Sequence, residues 1–151
     1  MATFLAIAGL AAVIFGLFWF QPHKLFIDQQ VDEAAPAAES AAKEATGDFV
    51  SHAHETTGRA MLITLDDGSR LLRLEDFATD NGPDLRVYLS SAAATESGDA
   101  VTQDFVDLGG LKGNMGNQNY EVPAEVDLST FESVVIWCRR FSVAFGAAAL
   151  D

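Results

Sequence analysis

The apolar residues of this chain follow two patterns: a continuous run at the N-terminus and a pattern of short alternating segments further on. No residue from Phe4 to Phe20 carries a charge. With Ala2 and Thr3, the run approaches the roughly 20 residues that a helix needs to cross a bilayer core. Trp19 stands near its end, where aromatic side chains favour the membrane interface. The pattern predicts one transmembrane helix, with residues 1–24 as an anchor in the lipid bilayer.

A cleaved signal peptide is the alternative interpretation of this run. Signal peptides carry a basic segment, a shorter apolar core and small residues at the cleavage site. Here residues 1–3 precede the run without a basic side chain, and the bulky residues 18–20 end it. A retained anchor is therefore favoured. Lys24 follows the run, which by the positive-inside rule favours a cytosolic C-terminal part.

Residues 25–47 differ in composition from both neighbouring regions. They are rich in alanine and glutamate, include Pro36, and lack an apolar stripe that a helix could bury. Segments of this kind remain solvated because they have too little apolar surface to offset the entropy of ordering. The sequence predicts a flexible tether here, followed by one domain over residues 48–151.

The C-terminal region alternates in the manner of short β-strands separated by turns. In Leu85–Ser90, residues 85, 87 and 89 are apolar on one face, as a strand with period two requires. Residues 133–138 are apolar on both faces, so this strand is expected at the centre. Further strands are predicted at 59–65, 70–75, 120–122 and 141–145, with turns at 66–69 and 81–84. The pattern predicts an all-β domain, an antiparallel sandwich or barrel.

Charge and cysteine content limit the classes of function. The formal net charge is -13, which argues against nucleic-acid binding and against a polybasic membrane patch, since both need a basic surface. Cys138 is the single cysteine, so neither an intramolecular disulfide nor a cysteine zinc site can form. The sequence also lacks the common motifs of hydrolases, zinc proteases and phosphate-binding loops.

Two segments carry candidate binding residues. Residues 109–119 are rich in Gly and Asn; they form either an ordered connection, with amides tying it to nearby backbone, or a rim that contacts a ligand or partner. His52 and His54 are two apart and would share a face if their segment is extended. Such a pair can bind a metal, but solvent-exposed or hydrogen-bonded histidines are more common.

Several segments, in order, resemble one known family. They are Leu74–Phe77, Asn81–Leu89, Leu108–Asn114, Gly116–Pro123 and Val134–Gly146, with His54 and Gly58 fitting the opening. Together they resemble the DM-thirteen domain, which is catalogued as an electron-transfer domain. The resemblance extends from Phe49 onward. It implies an extracytoplasmic location, against the signal from Lys24, and a role in oxidative modification or electron transfer at a membrane surface.

The resemblance also implies a role for Cys138, as a free thiol or as a ligand of a prosthetic group such as haem. His54 or His52 would be a second axial ligand if the fold brings them together. If the strand continues regularly, Arg140 shares a face with Cys138 and would stabilise a thiolate. An inert core thiol is the alternative, because free cysteine is often buried. The leading hypothesis is a membrane-tethered redox domain with an unknown redox or protein partner; the alternative is a non-catalytic binding or adhesion module.

Overall fold

The computed structural model describes residues 2–20, 27–37 and 41–151. In chain order the elements are α1 (Ala2–Phe20), β1 (Gln30–Asp32), β2 (Ala41–Ser51), β3 (Thr56–Leu65), β4 (Arg70–Thr79), β5 (Leu85–Ser90), β6 (Phe105–Gly110), β7 (Met115–Val122), β8 (Ser133–Cys138) and β9 (Val143–Ala149). Short 3₁₀ turns span Gly98–Thr102 and Leu128–Thr130.

The strands form one curled sheet in the order β1-β7-β4-β3-β2-β9-β8-β5-β6. All neighbouring pairs are antiparallel except β1 and β7, which are parallel. β2 joins the two halves, because its first part pairs with β3 and its last three residues pair with β9. The prediction of an all-β domain is confirmed in its general form, as a nine-stranded half-barrel.

The core has two layers, one on each face of β8. The inner cluster lies inside the curl and includes Val134, Ile136 and Cys138 of this strand. The outer cluster includes Val135 and Trp137, together with Tyr88, and is covered by the segment around Val101. Because both faces of β8 are buried, the prediction of a central strand at residues 133–138 is confirmed.

The strand boundaries agree with the sequence pattern in some places and differ in others. β5 has the predicted bounds, and β3 and β4 form the predicted antiparallel hairpin, closed by a hydrogen bond of 2.8 Å from the amide of Gly68 to the carbonyl of Leu65. β7 begins at Met115, not at residue 120, so half of the predicted Gly/Asn loop is strand. β9 begins at Val143, two residues later than predicted.

The N-terminal residues form helix α1, whose described side chains are largely exposed. Ile7, Leu10 and Leu17 have 64%, 62% and 55% of their surface accessible. Within the described parts of the chain, no helix combines the length and the hydropathy needed to cross a membrane, so the predicted span has no support here.

The predicted tether over residues 25–47 contains regular structure. Residues 30–32 form β1 against β7, and residues 41–47 belong to β2. The predicted domain boundary at residue 48 therefore falls inside a strand. The composition could not show this, because these residues are ordered by pairing with other strands, β1 with β7 and the first part of β2 with β3.

A candidate site at the end of the central strand

Cys138 is the last residue of β8, and its side chain points into the inner cluster. Its backbone partners are Leu85 on β5 and Val143 on β9. The residue is 0% exposed. The thiol is surrounded by packed apolar groups, as a core cysteine is.

The predicted relation between Cys138 and Arg140 does not occur. β8 ends at Cys138, and the chain turns through residues 139–142, where Ser142 has a positive φ of 53°. Arg140 is exposed in this turn, whereas Cys138 is buried. The amide of Arg139 donates a hydrogen bond of 3.0 Å to the carbonyl of Asp84 and holds the turn against the loop before β5. Cys138 and Arg140 would share a face only in a regular strand, and the turn ends the strand before Arg140.

His52 and His54 lie in a bend and not in a strand, so the condition for a shared face is not met. His52 Nε2 is 2.8 Å from the carbonyl oxygen of Ala94. His54 Nδ1 is 2.9 Å from Asp80 Oδ2. The ring of His54 also stacks on Phe145 at a centroid distance of 3.8 Å. Each histidine therefore has its own hydrogen-bonding partner.

Phe145 is what separates His54 from the inner part of the core. This ring is 1% exposed and belongs to the same apolar cluster as Cys138, and His54 lies on its outer side. Among the described residues, no group of three or more His, Cys, Asp or Glu side chains is arranged to hold a metal ion.

The Gly/Asn segment is tied together by buried amide groups, as the sequence suggested. Gln118 is 0% exposed. Its Nε2 donates to the carbonyl of Gly113 at 2.8 Å, and its Oε1 accepts from the amide of Gly113 at 3.2 Å. The hydroxyl of Tyr120 donates to the same Oε1 at 2.7 Å. Burial raises the pKa of Tyr120 to about 12.

Sequence reasoning missed the partners of this segment, which come from the supposed tether. Lys112 Nζ binds both carboxylate oxygens of Glu33, at 2.7 and 2.9 Å. The hydrogen bond from Lys112 lowers the pKa of Glu33, and the amide of Asn119 adds to the effect. No signal in the sequence connects residue 33 with residue 112; the Gly and Asn content of residues 109–119 indicated only an ordered connection or a rim that contacts a ligand or partner.

The sequence of this domain matches a known protein family. Residues 48–150 match the model of the electron transfer DM13 family. The chain belongs to this family. The match begins near the point where β2 crosses between the two halves of the sheet, and β1 lies outside it. No curated protein and no solved structure shows a significant match to the chain.

Haem, which the family resemblance suggested, does not fit beside Cys138 in this DM13 domain. A planar macrocycle ligated by the thiol needs open space at the sulfur, and the side chain is completely enclosed. Leu85, the β5 partner of Cys138, lines a cavity of about 200 Å³ together with Gln29 and the turn at residues 81–84. The thiol does not reach this cavity, since none of its surface is accessible.

Proposed function

We propose that the chain serves an electron-transfer system as a binding module, in which Cys138 is a structural core residue. The observation that carries this proposal is the complete burial of Cys138 among apolar side chains. Thiol chemistry requires a thiolate with access to its reactant, and burial denies that access. Family membership supports the link with electron transfer. Under this proposal the domain contributes its surface, and its partners carry the redox groups.

We also propose that the domain stands at the outer face of a membrane and that α1 holds it there. This placement is supported by the absence of charge from Phe4 to Phe20 and by the exposed apolar side chains of α1. Exposed apolar side chains at this density favour removal from water. The net charge of -13 argues against nucleic acid as a partner.

A redox thiol at Cys138 is the second candidate function. The observation in its favour is that Cys138 ends β8 directly before the exposed turn at residues 139–142. Local opening of such a turn would bring the thiol to the surface. Reactivity of the thiol in the folded chain separates the two candidates.

Thiol titration of the full chain in detergent tests the proposal. Cys138 is expected to resist alkylation while the chain is folded and to react once it is unfolded. Ser97→Cys supplies the matched control, because Ser97 is exposed and the new thiol should react at once. Cys138→Ser should remain folded but lose about 1–3 kcal/mol of stability, the cost of a poorly satisfied buried hydroxyl.

Two outcomes would instead establish the redox candidate. One is alkylation of Cys138 in the folded chain at a rate similar to that of the cysteine introduced at position 97. The other is a visible absorption band in protein from its native host that disappears with Cys138→Ser. Either result would show that the thiol or a bound group is accessible for electron transfer.

A further inference from the structure

The segment formed by residues 28–34, called here the docking segment, lies along the edge of the domain as an added strand. Its β1 part runs parallel to β7, with Val31 opposite Gly116. The amide of Glu33 donates to the carbonyl of Asn117 at 2.9 Å, and the amide of Met115 donates to the carbonyl of Gln29 at 3.4 Å. The DM13 match begins at residue 48, so an element outside the family domain completes this edge.

Asn side chains of the domain hold two acidic residues of the docking segment, Asp28 and Asp32. Asp28 Oδ1 accepts hydrogen bonds from Asn114 Nδ2 at 2.9 Å and from Asn81 Nδ2 at 3.0 Å. Asp32 Oδ1 accepts one from Asn117 Nδ2 at 2.7 Å. These amides therefore recognise carboxylates at two positions four residues apart.

Glu33 is the most strongly bound residue of the segment. Its carboxylate accepts from Lys112 Nζ and, at 2.6 Å, from the backbone amide of Asn119. Its carbonyl oxygen accepts from Arg73 Nη1 at 3.1 Å. Hydrogen bonds between charged groups are stronger than neutral ones, so Glu33 is expected to contribute most to docking.

Arg73 is a buried cation beneath the docking segment. The residue is 4% exposed, and its Nη1 also donates to Asn119 Oδ1 at 3.0 Å. Its Nε has no hydrogen-bonding partner, although a carboxylate oxygen of Glu75 lies 3.5 Å away. In a chain with a net charge of -13, Arg73 and Lys112 make this edge locally positive and complementary to an acidic strand.

Two glycines of the domain make room for the backbone of the segment. A Cβ on Gly116 would collide with the carbonyl oxygen of Val31, and Gly116 has a φ of 99°, which disfavours other residues. A Cβ on Gly113 would collide with the carbonyl oxygen of Gln29. These glycines explain why this part of the sequence is rich in Gly: the bound strand comes closer than a side chain allows.

The docking segment itself is held by few buried contacts. β1 has three residues, of which Gln30 and Asp32 are exposed and Val31 is half-buried. Most of its side-chain hydrogen bonds lie at exposed positions, where each contributes little net free energy. Because most of these contacts are exposed, the segment is expected to open more easily than the strands inside the sheet.

We propose that the β7 groove, defined as Lys112, Gly113, Asn114, Gly116, Asn117 and Asn119 with Arg73 beneath them, is a strand-binding site. Its built-in occupant is the docking segment. An extended acidic segment of a partner polypeptide, with carboxylates at the spacing of Asp28, Asp32 and Glu33, competes for the same place by β-strand addition. This inference extends the proposed function, because it names a surface by which a binding module takes a partner.

The test uses the full chain in detergent and a fluorescent peptide with the sequence of residues 27–37. Asp32→Ala/Glu33→Ala weakens the built-in segment and leaves the groove intact. We expect this double variant to bind the peptide about tenfold more tightly than the unmodified chain. In the unmodified chain the built-in segment occupies the groove in most molecules, which lowers the apparent affinity for the peptide. Added salt should weaken binding, because Lys112 and Glu33 attract each other at the surface.

Three controls make the result specific. Asp66→Ala/Glu125→Ala removes the same number of exposed acids outside the groove and should leave peptide binding as weak as in the unmodified chain. Adding Gly113→Val to the binding variant should abolish binding, because the new side chain would collide with the carbonyl oxygen of Gln29 in the bound strand. A peptide with alanine at positions 32 and 33 should not compete.

Amide hydrogen exchange provides a second measurement, in a chain that carries Glu33→Gln as its only change. It does not require the groove to be vacant. Glu33→Gln should speed exchange at the amides of Glu33 and Asn119, while amides of β8 stay protected. No peptide binding by the folded double variant, or equal binding of the alanine peptide, would overturn the proposal. Neither result bears on Cys138, so this inference and the proposed function can fail separately.

Discussion

Gly82 lies where the loop between β4 and β5 passes over the rings and methyl groups at the end of the inner cluster. A Cβ built on it would lie 2.7 Å from Leu85 Cδ2 and 3.1 Å from Phe145 Cζ. Its backbone does not adopt a left-handed conformation. The lack of a side chain allows close packing of the loop.

Gly82→Val is predicted to destabilise the domain by about 1–3 kcal/mol, the usual range for overpacking. Leu85 and Phe145 would have to move, and both contribute to the cluster around Cys138. The measurement is the denaturation midpoint. Gly110→Val is the matched control, since a Cβ there meets only Arg86 Nη1 at 3.8 Å; its effect should stay within about 0.5 kcal/mol. Equal midpoints for the two variants would contradict the packing argument.

The alternation of side chains along a strand correctly predicted which residues share a face. The prediction was wrong where it assumed that the strand continues. The alternation of β8 placed Cys138 on the same face as Val134 and Ile136, which the structure confirms. The same rule applied to Arg140 is wrong because the strand ends. Residues 139–142 include neither Gly nor Pro, so no turn signal marks the end of the alternation.

At the scale of elements, β7 is the strand whose extent and contacts were least predictable from the sequence. Tyr120, Gln118 and the connection at residues 111–114 form one hydrogen-bonded unit, in which the amide of Lys112 donates to the hydroxyl of Tyr120 at 3.0 Å. The burial that closes this unit also holds the Tyr120 phenol in its neutral form. Its pKa is therefore raised to about 12, and burial raises the pKa of Tyr88 as well.

This shift predicts a specific alkaline loss of stability. The unfolded chain releases the phenolic proton near pH 10, whereas the folded chain keeps it to about pH 12. The folded state binds more protons in this window, so the contribution is present below about pH 10 and is lost as the pH rises to about 12. The loss is on the order of 2–3 kcal/mol.

Denaturation midpoints measured across this window check the prediction, together with tyrosinate absorbance in the near ultraviolet. Tyr120→Phe should be less stable at neutral pH, because Lys112 and Gln118 lose a partner, but its stability should fall less steeply between about pH 10 and 12. Tyrosinate absorbance that rises fully near pH 10 in the folded chain would contradict the assignment.

Local patterns predicted the hairpin of β3 and β4 and the central position of β8, because neighbouring residues specify turns and alternation. The pairing of β1 with β7 joins residues 30–32 to residues 115–117, and no short-range pattern encodes such a pairing. Alanine and glutamate in residues 25–47 indicated a solvated segment. The order of residues 28–34 depends on Lys112, Asn114 and the Asn residues of β7, and residues 41–47 pair with β3. Composition alone cannot connect these segments with their partners.

At the scale of the whole molecule, charge and apolar surface are divided between the two ends of the chain. The apolar residues of α1 carry no charge, whereas the domain carries most of the acids that give the net charge of -13. An acidic domain remains soluble and repels similar chains. This division suits a domain that is held at a lipid surface by its N-terminus and stands in water.

The proposed placement predicts a definite labelling pattern in intact cells. In the Cys138→Ser background, Ser97→Cys puts one exposed thiol on the domain, and Thr3→Cys puts one at the N-terminal end of the apolar run. A thiol reagent that does not cross the membrane should label position 97 before lysis, because the proposal puts the domain outside. It should label position 3 only after lysis, because residues 4–20 would separate the two positions. Labelling of position 97 only after lysis would place the domain in the cytosol. Recovery of a soluble chain beginning after Phe20 would show that residues 4–20 are removed, and a membrane role for α1 in the mature protein would then be wrong.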